Sequence, residues 1–117
     1  NDSRTTLFRQ IQGWFSDFDL ILSPTLTRTA IPIDAKFTDP LEIAGESVGP
    51  LRQSWYPYTY PFNLSGHPAI TVPAGFAADG LPYALQITGP LMRDDLVLRA
   101  AALFEQAQPW ADRRPDL

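Results

Sequence analysis

Twelve prolines fall within a chain of 117 residues, about twice the usual frequency. A proline ring fixes φ and removes an amide donor. It therefore stops helices, and sheets tolerate it only at edges, first positions and bulges. A chain so constrained cannot be an all-helical bundle, and much of it must be loops and strand ends. Hydrophobic residues nevertheless make up 44% of it and charged residues 19%, enough apolar surface for a packed core and too little charge for wholesale disorder. The length fits one ordinary domain or a piece of a larger one.

Charge excludes some function classes. Nine basic and thirteen acidic residues give a net charge of −4, and no basic stripe exists to neutralise phosphates, so nucleic-acid binding is not expected. There are no cysteines, which removes disulfides and thiolate chemistry and fits a reducing, cytoplasmic setting. A single histidine argues against a His-based metal site. Neither a metal nor a cofactor is expected. No apolar run approaches the roughly 18 residues of a membrane-spanning helix, so no membrane partner is expected. The opening Asn1-Asp2-Ser3-Arg4 does not read as a signal peptide.

Periodicity then places the elements. Leu7, Phe8, Ile11, Trp14, Phe15 and Phe18 share one face of a helix expected over about 4–18, capped by Asp2 or Ser3. A face of three Phe and one Trp needs a broad apolar partner. Leu20 to Ser23, stopped by Pro24, reads as a buried strand. Positions 26–57 contain Pro32, Pro40, Pro50 and Pro57 and show no sustained period. They read as an irregular loop with a short helix near Pro40–Ala44, either a binding loop or a disordered excursion.

The later signals are sharper. Tyr58 to Ser65 reads as a short helix stopped by Gly66. Ala69 to Val72, closed by Pro73, and the alternating Leu81 to Thr88 read as strands, with Asp79-Gly80 between them. Together they form a hairpin over about 69–88. Asp94 or Asp95 caps a helix over about 96–107, with Leu96, Ala100, Leu103, Phe104 and Ala107 on one face. The resulting class is α/β, a small layer of strands flanked by helices.

A catalytic site needs a nucleophile or metal, a proton-transfer partner and a place for developing charge. Ser65 and His67 form the one neighbouring Ser–His pair. They flank Gly66, and His67 precedes Pro68, so a turn is the plain reading; the i, i+2 spacing assures neither aim nor an orienting acid. Asp94-Asp95 and Asp17, Asp19 are explained by capping and solvation. No phosphate loop and no cluster with metal-ligand spacing is present.

Several strings in order resemble the C-terminal portion of the amidase signature family. They are Phe18-Asp19-Leu20-Ile21-Leu22-Ser23-Pro24-Thr25, Asn63-Leu64-Ser65-Gly66-His67-Pro68-Ala69-Ile70, Val72-Pro73-Ala74-Gly75-Phe76, Gly80-Leu81-Pro82 and Leu85-Gln86-Ile87-Thr88-Gly89. A helix after Asp94-Asp95 and the tail Pro109-Trp110 with Arg114-Pro115 follow. The match covers roughly residues 18 to 115.

The resemblance implies a mixed β-sheet covered by helices, and hydrolysis of a carboxylic amide through a serine acyl-enzyme. In that chemistry a second serine and a lysine move the proton, and glycine-rich backbone amides stabilise the oxyanion. This chain has no adjacent serine pair and no adjacent glycines, and its one lysine, Lys36, sits in the irregular loop. The family's catalytic residues would precede Asn1, so no catalytic residue is assigned here.

What the resemblance leaves is a set of substrate-cleft candidates: Thr25, Asn63, Ser65, Gly66 and Gln86. For Gln86 a structural hydrogen bond competes with the cleft role, and for His67 a packing role is favoured. The expectation is the C-terminal part of an amidase that acts on a small-molecule amide. That part is expected to be inactive alone and to expose apolar surface through which it could form a homo-oligomer. The alternatives are a non-catalytic binding or oligomerisation module and an independent hydrolase using Ser65 and His67.

Overall fold

The computed structural model describes residues 2–114. The chain opens with α1 (Asp2–Trp14) and β1 (Ile21–Pro24), then β2 (Pro40–Ile43), β3 (Glu46–Pro50) and α2 (Leu51–Ser54). It continues with α3 (Tyr60–Ser65), β4 (Ala69–Phe76), β5 (Pro82–Thr88) and α4 (Asp94–Ala107). Two antiparallel sheets result, a three-stranded one in the order β1-β5-β4 and the β2-β3 hairpin. The class is α/β.

The centre of the molecule is the meeting of sheet and helix. Ile70 and Val72 of β4 stand opposite Ile87 and Leu85 of β5. Because strand side chains alternate, all four lie on one face. Val72 and Ile87 pack there with Ala101 of α4, with Leu20, Phe104 and Trp110 around them. Burying each such aliphatic side chain stabilises the fold by about 1.5–3 kcal/mol. A Cβ on Gly89 would lie 2.6 Å from Val97 Cγ2, so the bare glycine lets α4 start close against the sheet.

The inward stripe of α4 differs from the expected one. Val97 and Ala101 are buried, whereas Leu103 is 58% exposed. The helix is apolar nearly all round, so its sequence admits two stripes, and the sheet takes the one whose small Ala100 and Ala101 permit close approach. Capping differs too. Arg93 holds the N-cap position without a side-chain cap bond, and its guanidinium grips Asp95 at 2.8 and 3.0 Å. Asp94 and Asp95 lie inside the first turn, where negative charge suits the helix dipole.

Helix α1 ends at Trp14 rather than near Phe18. Gly13 weakens its last turn, and Phe15 to Phe18 follow as a turn closed by Phe18 N–H to Trp14 O at 3.1 Å. Phe18 is 63% exposed. The helix already includes Asp2, so the capping position ahead of it falls outside the described residues. Alongside, α3 ends on Gly66 at φ 78°, the left-handed stop that glycine adopts without strain. Arg4 Nε donates to Leu64 O at 2.8 Å and ties the two helices.

Positions 26–57 are more regular than expected. Where a short helix was read near Pro40–Ala44, Pro40–Ile43 is a strand paired with Glu46–Pro50. Ala44 at φ 53° and Gly45 at φ 82° form the two-residue link, with positive φ at both central positions as a type I′ turn requires. Arg28 Nη1 donates to Glu42 O at 2.9 Å and Thr27 Oγ1 to Ser54 O at 2.7 Å, pinning the hairpin and α2 to the chain after β1. Leu41 and Leu51 are buried beneath it. Strand β4 also runs past Pro73, its expected end. Its position at the sheet edge tolerates proline, and a bulge lies between Pro73 and Gly75. Gly75 has φ +155°, and a Cβ there would meet Tyr83 Oη at 2.5 Å.

Candidate functional site: a hydroxyl and amide row opposite helix α4

Register places three polar side chains side by side on the face of the sheet that α4 does not cover. Ser23 of β1 and Thr71 of β4 both stand opposite Gln86 of β5. Gln86 is only 5% exposed. Its Nε2 donates to Ser23 Oγ at 3.0 Å and to Tyr58 O at 3.0 Å, so both amide protons are engaged. The amide thereby fixes the end of β1 and the segment before α3 to the central strand. Next along the same face, Thr88 is fully buried, and its Oγ1 has no partner among the described residues.

Thr25 closes the other end of the row. Its N–H donates to Ala84 O at 3.2 Å, and its Oγ1 makes a short hydrogen bond with Thr71 Oγ1. Ala84 on the intervening strand carries only a methyl, which leaves room for the hydroxyls to meet. Thr25 is half-buried and Thr71 exposed. The sequence candidates Thr25 and Gln86 thus come together, joined by Ser23 and Thr71. Neither of those two was a candidate, and Thr71 could be found only through the β4–β5 register.

The other candidates lie elsewhere. Asn63 is exposed on α3, and Gly66 closes that helix. Ser65 is 6% exposed and His67 5%. His67 Nδ1 lies 2.9 Å from Ser65 Oγ and Nε2 2.9 Å from Gln12 Oε1. Leu91 N–H also donates to Gln12 Oε1, at 3.4 Å. An oxygen accepting from Leu91 accepts from His67 as well, which puts the imidazole proton on Nε2 and leaves Nδ1 an acceptor, sharing the Ser65 O–H with Phe62 O at 3.3 Å. The ring stacks on Phe8 at 5.2 Å and tilts against Phe15 at 5.6 Å. Burial pushes the His67 pKa below its ordinary value.

This arrangement has the connectivity of a catalytic pair without its chemistry. A base that takes a proton needs support for the resulting imidazolium, and Gln12 offers a neutral amide where a triad has a carboxylate. The hydroxyl is buried among α1, α3 and the turn. Ser65, His67 and Gln12 are a polar brace between α1 and the α3–β4 turn. Sequence separation hid Gln12, which lies 55 residues from His67.

Two clefts open near the sheet. One, of about 600 Å³, is walled by Phe76, Leu81, Pro82 and Trp110 with Arg113 and Arg114. The other, of about 390 Å³, lies beside Leu26 to Ala30, Trp55 and Tyr83. Among the described residues no group of three or more His, Cys, Asp or Glu is placed to hold a metal ion. No helix there is long and apolar enough to cross a membrane.

Comparison with known proteins decides the family. The profile of the Amidase family matches residues 1–98. The chain belongs to the amidase family. It is 46% identical over 102 residues to the acylamidase of Rhodococcus erythropolis, a match that covers 87% of this chain and 21% of that protein. It is 43% identical over 110 residues to the 6-aminohexanoate-cyclic-dimer hydrolase of Pseudomonas sp. strain NK87, covering 89% and 22%. Among solved structures, a bacterial aryl acylamidase of the amidase signature family superposes with a TM-score of 0.78 at 40% identity, covering 97% of this chain and 24% of that one. The chain thus spans only about a fifth of the length of the curated relatives it matches.

Proposed function

We propose that this amidase-family chain is the C-terminal part of an enzyme that hydrolyses a carboxylic amide through a serine acyl-enzyme, and that residues outside it supply the nucleophile and its proton-transfer partners. The observation that carries this reading is the combination of family membership with a match to only 21% of the acylamidase. The buried Ser65–His67 brace supports it from the other side, since the one neighbouring Ser–His pair is 6% and 5% exposed and has Gln12 in place of an orienting carboxylate. In this reading Thr25 and Gln86 contribute to the wall of the substrate cleft. Asn63 has no bonding partner on that face, and Ser65 and Gly66 hold the turn behind it. The substrate is a small-molecule amide and the setting cytoplasmic.

The test compares the 117-residue chain with the complete protein that carries it, on a neutral anilide and a linear aliphatic amide, with release of amine as the readout. The complete protein is expected to turn over at least one of them and the 117-residue chain neither. Hydrolysis by the short chain, lost in Ser65→Ala, would establish the brace as a catalytic site and overturn the assignment. A complete protein inert toward both amides, yet binding a partner, would favour a non-catalytic module instead.

A further inference from the structure

The row opposite α4 has one unused end. Both protons of Gln86 Nε2 are committed to Ser23 Oγ and Tyr58 O, so this amide holds the site together and has no proton left for a ligand. Thr25 and Thr71 differ. In their mutual hydrogen bond one hydroxyl gives its proton and the other receives it. The pair keeps one free O–H and free lone pairs, and Thr71 presents them at an exposed position. Ser23, Thr25, Thr71 and Gln86 carry no charge. Arg28, three positions beyond Thr25, directs its Nη1 to Glu42 O on the hairpin.

Resting on the amide-hydrolase reading, we propose that the Thr25–Thr71 hydroxyl pair is the substrate contact of this row, with Thr71 as the specificity-determining residue, and that the group it receives is uncharged and hydrogen-bonding. Gln86 is a positioning residue that sets the β1 end from which Thr25 reaches across. A hydroxyl pair offers one donor to a neutral amide or ether oxygen and lone pairs to an amide N–H. A carboxylate placed there would meet one O–H and no cation, so its charge would go uncompensated by this row.

The experiment uses the complete protein and a neutral anilide, with two analogues carrying a carboxylate on the acyl or on the amine side. Thr71→Val, which keeps the shape and removes the hydroxyl, is expected to raise KM for the neutral amide about tenfold, the effect of one substrate hydrogen bond, with kcat changed less than twofold. Thr71→Ser is expected to restore KM. The carboxylated analogue whose charge meets the row is expected to be a poor substrate that Thr71→Lys improves. An unchanged KM in Thr71→Val, or both carboxylated analogues turned over as well as the neutral one, overturns the proposal while leaving the amide reading intact. A wild-type protein that hydrolyses no amide removes the underlying reading and this proposal with it.

Discussion

At the scale of single residues, His67 illustrates how far local sequence can be read. The Ser-Gly-His-Pro string announces a turn, and a turn is what surrounds Gly66. The partners that decide what His67 does, Gln12 and the Phe8 and Phe15 rings, come from α1 and the turn after it, more than fifty positions away, and no local pattern encodes them. Their effect is testable because the chain has one histidine and so one imidazole resonance. Burial lowers its folded pKa, and the unfolded value stays near about 6.5. Between those two values the unfolded chain holds a proton that the folded chain does not. Stability therefore rises with pH across that window, by at most about 1.4 kcal/mol per unit, is fully present above it and is lost as pH falls through it. An NMR titration is expected to place the midpoint below the ordinary value. A midpoint at or above it would mean that the ring is solvated or faces a carboxylate, contrary to the brace.

At the scale of elements, period-2 and period-3.6 patterns located the strands and helices that form the core, because burial on one face imposes those periods. They failed where geometry came from something other than burial. The β2–β3 hairpin was invisible because its turn is Ala44-Gly45 rather than the Asn-Gly that signals a type I′ link, and because its prolines read as breakers although they sit at strand starts and ends. The extension of β4 past Pro73 was hidden for a related reason, since only the sheet order reveals an edge strand. Ala44 at φ 53° carries a Cβ in the left-handed region, where Asn is better tolerated. Ala44→Asn is expected to stabilise the chain by about 0.5–1 kcal/mol, read as a higher urea midpoint at unchanged slope. A lower midpoint would show that the link is not a type I′ turn.

At the scale of the whole molecule, area and shape say what the elements cannot. A folded monomer of 13.0 kDa exposes about 6,300 Å², whereas this chain exposes 8499 Å². Its radius of gyration is 16.2 Å, against about 13.4 Å for a compact domain of its length. Its extents of 42 × 37 × 20 Å describe a slab. The excess surface is apolar at particular places. Leu98 and Leu103 on the outer side of α4 are 60% and 58% exposed, and Phe18 and Leu22 around β1 are 63% and 60% exposed. The broad partner that the aromatic face of α1 requires is therefore only partly supplied by α3, and the chain has the surface of a layer that expects neighbours on both sides. The five strings that resemble the amidase family were legible in sequence because they form the turns and strands of that layer. The 117-residue chain is accordingly expected to self-associate and to bind a hydrophobic dye, with sedimentation showing concentration-dependent growth that charged replacements such as Leu98→Lys with Leu103→Lys diminish. In the complete protein the same double replacement is expected to lower stability by several kcal/mol, because it would leave charge unpaired at a buried contact. A strictly monomeric short chain with a sharp, high melting transition would instead show that these apolar faces need no cover, and the amidase-family layer would then stand as a self-sufficient domain.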